Sequence, residues 1–262
     1  MEEQVVPGNR SAIADRLLAM GRSVLSAAID IVYPPHCVGC GIMTGSHRGL
    51  CPDCWSSLGF IEEPYCAVLG IPFSHEQGAG ALSALAIAEP PDFDRLRAVA
   101  LHTGVARSLV HALKYRDRLD LAPMMALWMA RAGAAVIERA DLILPVPLHR
   151  SRLFGRRFNQ SAELARAIAS RTELRYAPSA LIRVKRTERQ VGLGQRARQE
   201  NVRGAFRVTE NGKTLVFGQH VLLVDDVYTT GATVNACARA LKRAGAAEVS
   251  VLTFAMALSE PI

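Results

Sequence analysis

Four consecutive apolar residues, Val221, Leu222, Leu223 and Val224, run into two carboxylates, Asp225 and Asp226, and then into the loop Tyr228-Thr229-Thr230-Gly231-Ala232. A run that is apolar at every position fits a strand buried on both faces, as in a parallel sheet. From Thr233 the periodicity turns helical, with Val234, Cys237, Ala238 and Leu241 on one side and a helix end near Ala244 and Gly245. Gly231 lets backbone approach an oxyanion closely. The amides and positive dipole of a helix start favour a phosphate. Thr229, Thr230 and Thr233 add hydroxyl donors. Ionised carboxylates only accept hydrogen bonds, so they suit sugar hydroxyls or a hydrated Mg2+. The plainer alternative is a buried strand whose carboxylates cap a loop. No G-x-x-x-x-G-K-[ST] occurs in the chain, which sets a P-loop site aside.

The cysteines constrain a second region. Five of the six fall between Cys37 and Cys66, and Cys237 stands alone. Cys37, Cys40, Cys51 and Cys54 form C-x2-C-x10-C-x2-C. Each pair makes a tight turn that aims two sulfurs at one point, and two such turns give the four-thiolate shell that Zn2+ prefers. A closed shell leaves no open position, so this zinc is structural. Four unligated cysteines are the alternative. Further on, Cys66-Ala67-Val68-Leu69 has the outline of another metal turn, with leucine where a second cysteine is needed. Cys66 reads as a small buried residue, and one zinc is expected.

The chain has 262 residues, enough for one large domain or a domain with a small module. A net charge of +7 suits an anionic ligand and permits nucleic-acid contact without demanding it. Met1-Glu2-Glu3 is the wrong charge for a signal peptide. No apolar run approaches the roughly 18 residues of a membrane span. A cytoplasmic protein is expected. Residues 11–31 carry apolar side chains at helical steps and read as an amphipathic packing helix, stopped by Pro34 and Pro35. The expected division is 1–32 for that helix, 33–75 for the zinc ribbon and 92–262 for the main domain, with 74–91 as connector.

Strand-like and helix-like stretches then alternate. Residues 97–102 read as a strand, 105–115 as a helix and 119–135 as a second helix whose Met124, Met125, Trp128 and Met129 are core. Residues 142–146 read as a strand halted by Pro145 and Pro147. Val146, Pro147, Leu148 and His149 lead into a basic loop with Arg150, Arg152, Arg156 and Arg157, ahead of a helix from 158–161 to about Ser170. Such a loop suits a polyanion, a solvated arginine surface being the alternative. Residues 180–184 read as a strand that opens into the long basic stretch Arg183, Lys185, Arg186, Arg189 and Gln190. Long glycine-bounded loops of this kind are often lids. Residues 195–202 read as a short helix, 205–208 as a strand, 210–213 as a turn and 249–254 as the last strand. The alternation predicts an α/β fold: a largely parallel sheet covered on both faces, with ligands beyond the carboxyl ends of its strands.

The stretch V-D-D-V-Y-T-T-G-A-T resembles the phosphoribosyl-pyrophosphate (PRPP) loop of type I phosphoribosyltransferases. Together with the cysteine pairs, the Leu113-Lys114-Tyr115 step, P-V-P-L-H-R-S-R-L-F-G-R-R-F-N-Q at 145–160 and R-x-K-R-T-x-x-Q…R-x-x-N-V-x-x-A-F at 183–206, it resembles the ComF family. The resemblance spans almost the whole chain beyond the N-terminal helix. It implies a type I phosphoribosyltransferase sheet with a small hood. It implies that Asp225 and Asp226 hold the ribose hydroxyls and Mg2+, and that Thr229, Thr230, Gly231, Ala232 and Thr233 take the 5-phosphate. Val146–His149 becomes the pyrophosphate loop, with Lys114, Arg156 and Arg157 among the PRPP-binding residues. Arg183, Lys185, Arg186 and Gln190 lie in the loop that closes over the site, Arg186 helping the pyrophosphate to leave. The implied reaction displaces pyrophosphate from PRPP by a nitrogen nucleophile. Purine-salvage relatives carry an acid at the place of Thr229, and its absence here leaves the acceptor open. The competing readings are a PRPP sensor, or an adaptor for single-stranded DNA or a DNA-processing partner in natural transformation. Few aromatics interleave with the basic residues, which weakens autonomous DNA binding.

Overall fold

The computed structural model describes residues 33–45, 47, 49–149, 158–185 and 202–258. The helix expected at 11–31, the arginines of 150–157 and the stretch 186–201 lie outside the described residues. The chain divides into two compact units, Met1–Cys51 and Pro52–Ile262. In the first, Cys37 opens a tight turn in which its amide donates to the Ile42 carbonyl at 2.7 Å and Gly41 N–H donates back to the Cys37 carbonyl at 2.9 Å.

The second unit opens with two short helices, α1 (Pro52–Ser56) and α2 (Ala84–Ala88). The order then runs β1 (Arg95–Leu101), α3 (Gly104–Tyr115), a 3-10 turn at Leu119–Leu121, α4 (Ala122–Ala132), α5 (Ala134–Glu138) and β2 (Leu142–Pro145). It continues α6 (Gln160–Ala169), β3 (Arg175–Tyr176), β4 (Leu181–Arg183), β5 (Phe206–Val208), α7 (Glu210–Val216), β6 (His220–Tyr228), α8 (Ala232–Arg243) and β7 (Glu248–Met256). Five strands form one parallel sheet in the order β1-β7-β6-β2-β3. β4 and β5 form a separate antiparallel pair, so these two segments are not members of the main sheet.

The apolar run of β6 is buried throughout, from Val221 to Val224, and β7 is buried from Val249 to Met256. Each large side chain contributes roughly 2 kcal/mol by leaving water, before conformational entropy offsets it. Strand alternation divides these residues between two layers. Val221, Leu223, Val249 and Val251 share one core with Val234, Cys237, Ala238 and Leu241 of α8. On the other face Phe254 stacks with Trp128 of α4, at 6.1 Å between ring centroids. Helices therefore cover both faces, as the buried parallel pattern requires. Met125 and Met129 are fully buried, as core methionines should be.

The stretch expected as one helix at 119–135 is broken. Pro123 starts α4 and Gly133 separates it from α5. A Cβ on Gly133 would lie 2.6 Å from the Leu252 side chain, so glycine lets the junction of the two helices pack closely on the sheet. The expected turn at 210–213 is instead the first turn of α7. Thr209 caps it, its hydroxyl oxygen accepting from Gly212 N–H at 3.0 Å. The Asn211-Gly212 pair imitates a turn signal, but the glycine serves a close approach: a Cβ there would meet the Ala180 carbonyl oxygen at 2.3 Å. Alanine would raise helix propensity by about 1 kcal/mol, whereas forced overlap in a packed site costs about 1–3 kcal/mol. Gly212→Ala should therefore lower the thermal midpoint. A midpoint that rises would show that α7 is free to move away from Ala180.

Candidate functional site

The sheet opens at Val224. β2 pairs with β6 only as far as Pro145 against Val224, whereas β7 stays paired through Tyr228 against Met256. The sequence places Asp225 and Asp226 where the strand should end; the strand in fact runs two residues past them, to Tyr228. They sit where the strand has lost one neighbour.

Two elements converge on them. The last turn of α3 brings Lys114, whose Nζ lies 2.9 Å from Asp226 Oδ1. The first turn of α6 brings Ser161, whose hydroxyl donates to Asp225 Oδ1 at 2.8 Å. The Asp226 amide donates to the same oxygen at 2.9 Å. Asn159 caps α6, accepting from Ser161 N–H at 3.2 Å. Its Nδ2 donates to the Val146 carbonyl at 3.0 Å. Gln160 Nε2 reaches the Lys114 carbonyl at 3.5 Å. One helix start therefore ties the acidic pair, the lysine and the Val146–His149 loop together, and Gln160 and Ser161 are buried in doing so.

The electrostatics follow from enclosure. Burial pushes the Asp225 carboxyl up to about 7, and the adjacent Asp226 adds to it, while Lys114 and Ser161 pull the other way. Burial works against the Lys114 ammonium, but the Asp226 carboxylate, with Asp225 and Tyr115 adding to it, holds the lysine above its usual range. His102, just past β1, is held below the usual imidazole range by burial, Lys114 and Arg107. Its amide donates to the Met256 carbonyl at 2.7 Å, which fixes it at the same end of the sheet.

Beyond the acids, Thr229 and Thr230 lead to Gly231, which has φ 73° and stands at the N-cap of α8. A Cβ on Gly231 would lie 2.7 Å from the Tyr228 hydroxyl, so both backbone and space demand glycine. No side chain caps α8. The buried Thr230 Oγ1 has no hydrogen-bond partner. A buried orphan hydroxyl costs about 1–3 kcal/mol, a cost that a bound oxyanion would remove.

Val146 and the Thr229–Thr233 loop therefore lie at the carboxyl ends of neighbouring strands, with Lys114 beside the acids. Arg183 is elsewhere: it ends β4, buried, with its guanidinium 5.2 Å from the centre of the Phe206 ring. Lys185 is exposed just after it. Arg156, Arg157, Arg186 and Gln190 lie outside the described residues. Sequence reasoning passed over Ser161, Asn159 and His102. The signal for the first two was the helix-start pattern Phe158-Asn159-Gln160-Ser161 directly after the basic loop. Cys237 is buried in α8 and its thiol is pushed up by burial, in keeping with packing.

The cysteine cluster is a second centre. The sulfurs of Cys37, Cys40, Cys51 and Cys54 lie within 4.8 Å of one another. Those of Cys40 and Cys51 are 3.7 Å apart. A tetrahedron of Zn–S bonds near 2.3 Å has edges of about 3.8 Å, so the donors fit zinc. Backbone amides of Gly39 and Cys51 point at the Cys37 sulfur, at 3.4 and 3.2 Å. Such donors favour thiolate.

Residues 28–83 match the Double zinc ribbon domain, and residues 159–261 match the Phosphoribosyl transferase domain. Over 210 residues the chain is 32% identical to the DNA utilization protein YhgH of Escherichia coli, covering 78% of this chain and 89% of that one. Over 227 residues it is 26% identical to the Competence protein F of Haemophilus influenzae, covering 84% of this chain and 96% of that one. The chain belongs to the ComF family. The same DNA utilization protein from Salmonella typhimurium is 33% identical over 212 residues, covering 79% of this chain and 89% of that one. Among solved structures, the allosteric regulatory enzyme of purine biosynthesis shares 25% identity over 50% of this chain, with a TM-score of 0.35; this chain spans a quarter of that one. The ComF chain thus joins a four-cysteine zinc ribbon to a sheet of the type I phosphoribosyltransferase class.

A pH signature follows from Asp225. With its carboxyl raised from 3.8 to about 7, the folded state holds a proton that the unfolded chain releases between those values. The stability contributed by Asp225 is full at acid pH and is lost as pH rises through that window. Asp225→Asn keeps an oxygen for the Ser161 and Asp226 donors and removes the titration. Relative to wild type, the variant should gain thermal stability as pH rises from about 4 to 8. A difference in midpoint that stays constant with pH would show that Asp225 ionises freely.

Proposed function

We propose that this ComF-family chain binds PRPP with Mg2+ at the carboxyl end of β6 and transfers the phosphoribosyl group to a nitrogen nucleophile. The buried, partnerless Thr230 hydroxyl at the Gly231 bend, next to two carboxylates, carries the reading. Thr229, Thr230, Gly231, Ala232 and Thr233 would surround the 5-phosphate, with the α8 dipole behind them. Asp225 and Asp226 would accept from the ribose hydroxyls. Their hard oxygens also fit Mg2+, which when bound would neutralise charge on the pyrophosphate as it leaves. Val146, Pro147, Leu148 and His149, with Arg156 and Arg157, would hold that pyrophosphate. Lys114 neutralises the acids until ligand competes for Asp226.

Lys185, Arg186 and Gln190 belong to a lid in this proposal, with Arg183, buried at the end of β4, as its anchor, Arg186 stabilising the leaving group and closure excluding water. The division into 1–32, 33–75 and 92–262 is part of the same proposal. So is a place in the cytoplasm, where thiolate ligands stay reduced; no helix among the described residues is long and apolar enough to cross a membrane. The relatives' names, DNA utilization protein and Competence protein F, support a role beside DNA, with single-stranded DNA or a DNA-processing protein as partner. The second reading is a PRPP sensor without transfer, favoured by Thr229 in place of a carboxylate beside the acceptor.

Titration calorimetry with Mg2+ and PRPP should give saturable binding that weakens at least ~30-fold, about 2 kcal/mol, in the Asp225→Asn/Asp226→Asn double variant. Absence of binding by the wild-type chain would overturn both readings. Pyrophosphate release that depends on an added nitrogenous base marks the enzyme; binding without it marks the sensor.

A further inference from the structure

The Double zinc ribbon match extends to residue 83, and so implies a second metal site. The structure shows where its ligands would stand. The first cysteine turn and the stretch at 64–73 share one backbone pattern. Cys37 N–H donates to Ile42 O at 2.7 Å, and Cys66 N–H to Ile71 O at 2.8 Å. Gly41 N–H donates to Cys37 O at 2.9 Å, and Gly70 N–H to Cys66 O at 2.8 Å. Thr44 N–H donates to Pro35 O, and Phe73 N–H to Pro64 O, both at 2.8 Å. Antiparallel bridges pair His36 with Met43 and Tyr65 with Pro72. Gly41 and Gly70 both have positive φ, 81° and 62°.

The second halves correspond too. Cys51 N–H donates to the Cys37 sulfur at 3.2 Å and α1 follows at once. Ser83 N–H donates to the Cys66 sulfur at 3.2 Å and α2 follows at once. Ser83 thus stands in the place of Cys51, Ala86 in that of Cys54 and Leu69 in that of Cys40. One thiol, one hydroxyl and two hydrocarbon side chains do not make a zinc shell. The Ser83 hydroxyl oxygen is also engaged, accepting from Ala86 N–H at 3.3 Å.

We propose that this second ribbon takes no metal and is instead built into the main sheet as the cover of its β1 edge. In place of the tether that an ion supplies at the Cys37 turn stand the Cys66 sulfur, which also accepts from Leu69 N–H at 3.4 Å, and burial of Leu69 and Ala86 in the core. β1 is the end strand, and an end strand exposes unpaired amides and carbonyls. The ribbon meets them at Leu96, and the segment leading into it, residues 59–61, meets them further along. Leu96 N–H donates to Val68 O at 2.7 Å, Ile61 N–H to Val99 O at 2.9 Å and Leu101 N–H to Gly59 O at 2.8 Å. Arg97 reaches the Ala67 carbonyl at 3.2 Å, with its guanidinium 4.4 Å from the centre of the Tyr65 ring. Gly70 lies so close that a Cβ would be 2.6 Å from Leu96 O.

This inference does not depend on PRPP binding. Purified full-length protein should contain one zinc per chain by elemental analysis, falling toward zero in Cys51→Ser. Cys66→Ala should leave that count unchanged while hydrogen exchange at the Leu96, Leu101 and Ile61 amides quickens at least tenfold. The triple variant Leu69→Cys/Ser83→Cys/Ala86→Cys should hold two metals and double the cobalt–thiolate absorbance. Two zincs in the wild type, loss of zinc in Cys66→Ala, or unchanged exchange in that variant would each overturn the proposal. So would a folded triple variant that still holds one metal; if it fails to fold, the wild-type and Cys66→Ala measurements decide.

Discussion

Two adjacent carboxylates in a central strand cannot both remain ionised in a protein interior without a cation beside them. The Lys114–Asp226 ion pair meets that requirement, and much of the surrounding architecture serves it. α3 must end where it does to deliver Lys114, and its buried stripe of Ala106, Leu109, Val110 and Leu113 fixes its rotation. The charge is satisfied on one side only: Asp226 has its partner, while Asp225 relies on a hydroxyl and an amide and rises to about 7. The site is therefore held short of full negative charge, which lowers the repulsion that an incoming polyanion meets.

The start of α6 does a second job that charge alone would not do. Asn159, Gln160 and Ser161 hydrogen-bond respectively to the Val146 carbonyl, the Lys114 carbonyl and Asp225. These partners come from three elements far apart in sequence. A single helix turn thus sets the spacing between the acidic pair and the loop after β2. Its first residues are buried polar groups with partners, which are costly to leave unpaired and so specify one arrangement.

Local chemistry was legible in the sequence where it came from contiguous residues. The run Val221–Thr233 and the two cysteine pairs each encode backbone shape and donor type within a few residues: the first forms a buried strand, a glycine bend and a helix, and the second gathers four sulfurs. What escaped notice depends on distant packing. Gly212 looks like a turn glycine until Ala180 is seen 2.3 Å from its absent Cβ. Asp225 and Asp226 look like the end of the strand because the sequence shows where apolar character stops; the ladder to β7 continues past that point. β4 and β5 look like two more members of a parallel sheet, because strand pattern does not say which partner a strand will choose. Ser161 carries no motif of its own, and its role comes from an oxygen sixty-four positions away.

The two ribbon turns show the same folding problem solved by different means. A short knuckle buries too little apolar surface to hold itself, so a metal that draws four thiolates together supplies the missing free energy. The turn at Cys37 retains that solution. The turn at Cys66 has a neighbour that the ion can be exchanged for: an end strand with open hydrogen-bonding groups and a core that accepts Leu69 and Ala86. With those contacts in place, cysteines are not needed at positions 69, 83 and 86, whereas glycine is needed at 70, because the Leu96 carbonyl leaves no room for a side chain. Docking to the sheet thus explains both what the second ribbon has lost and what it has kept.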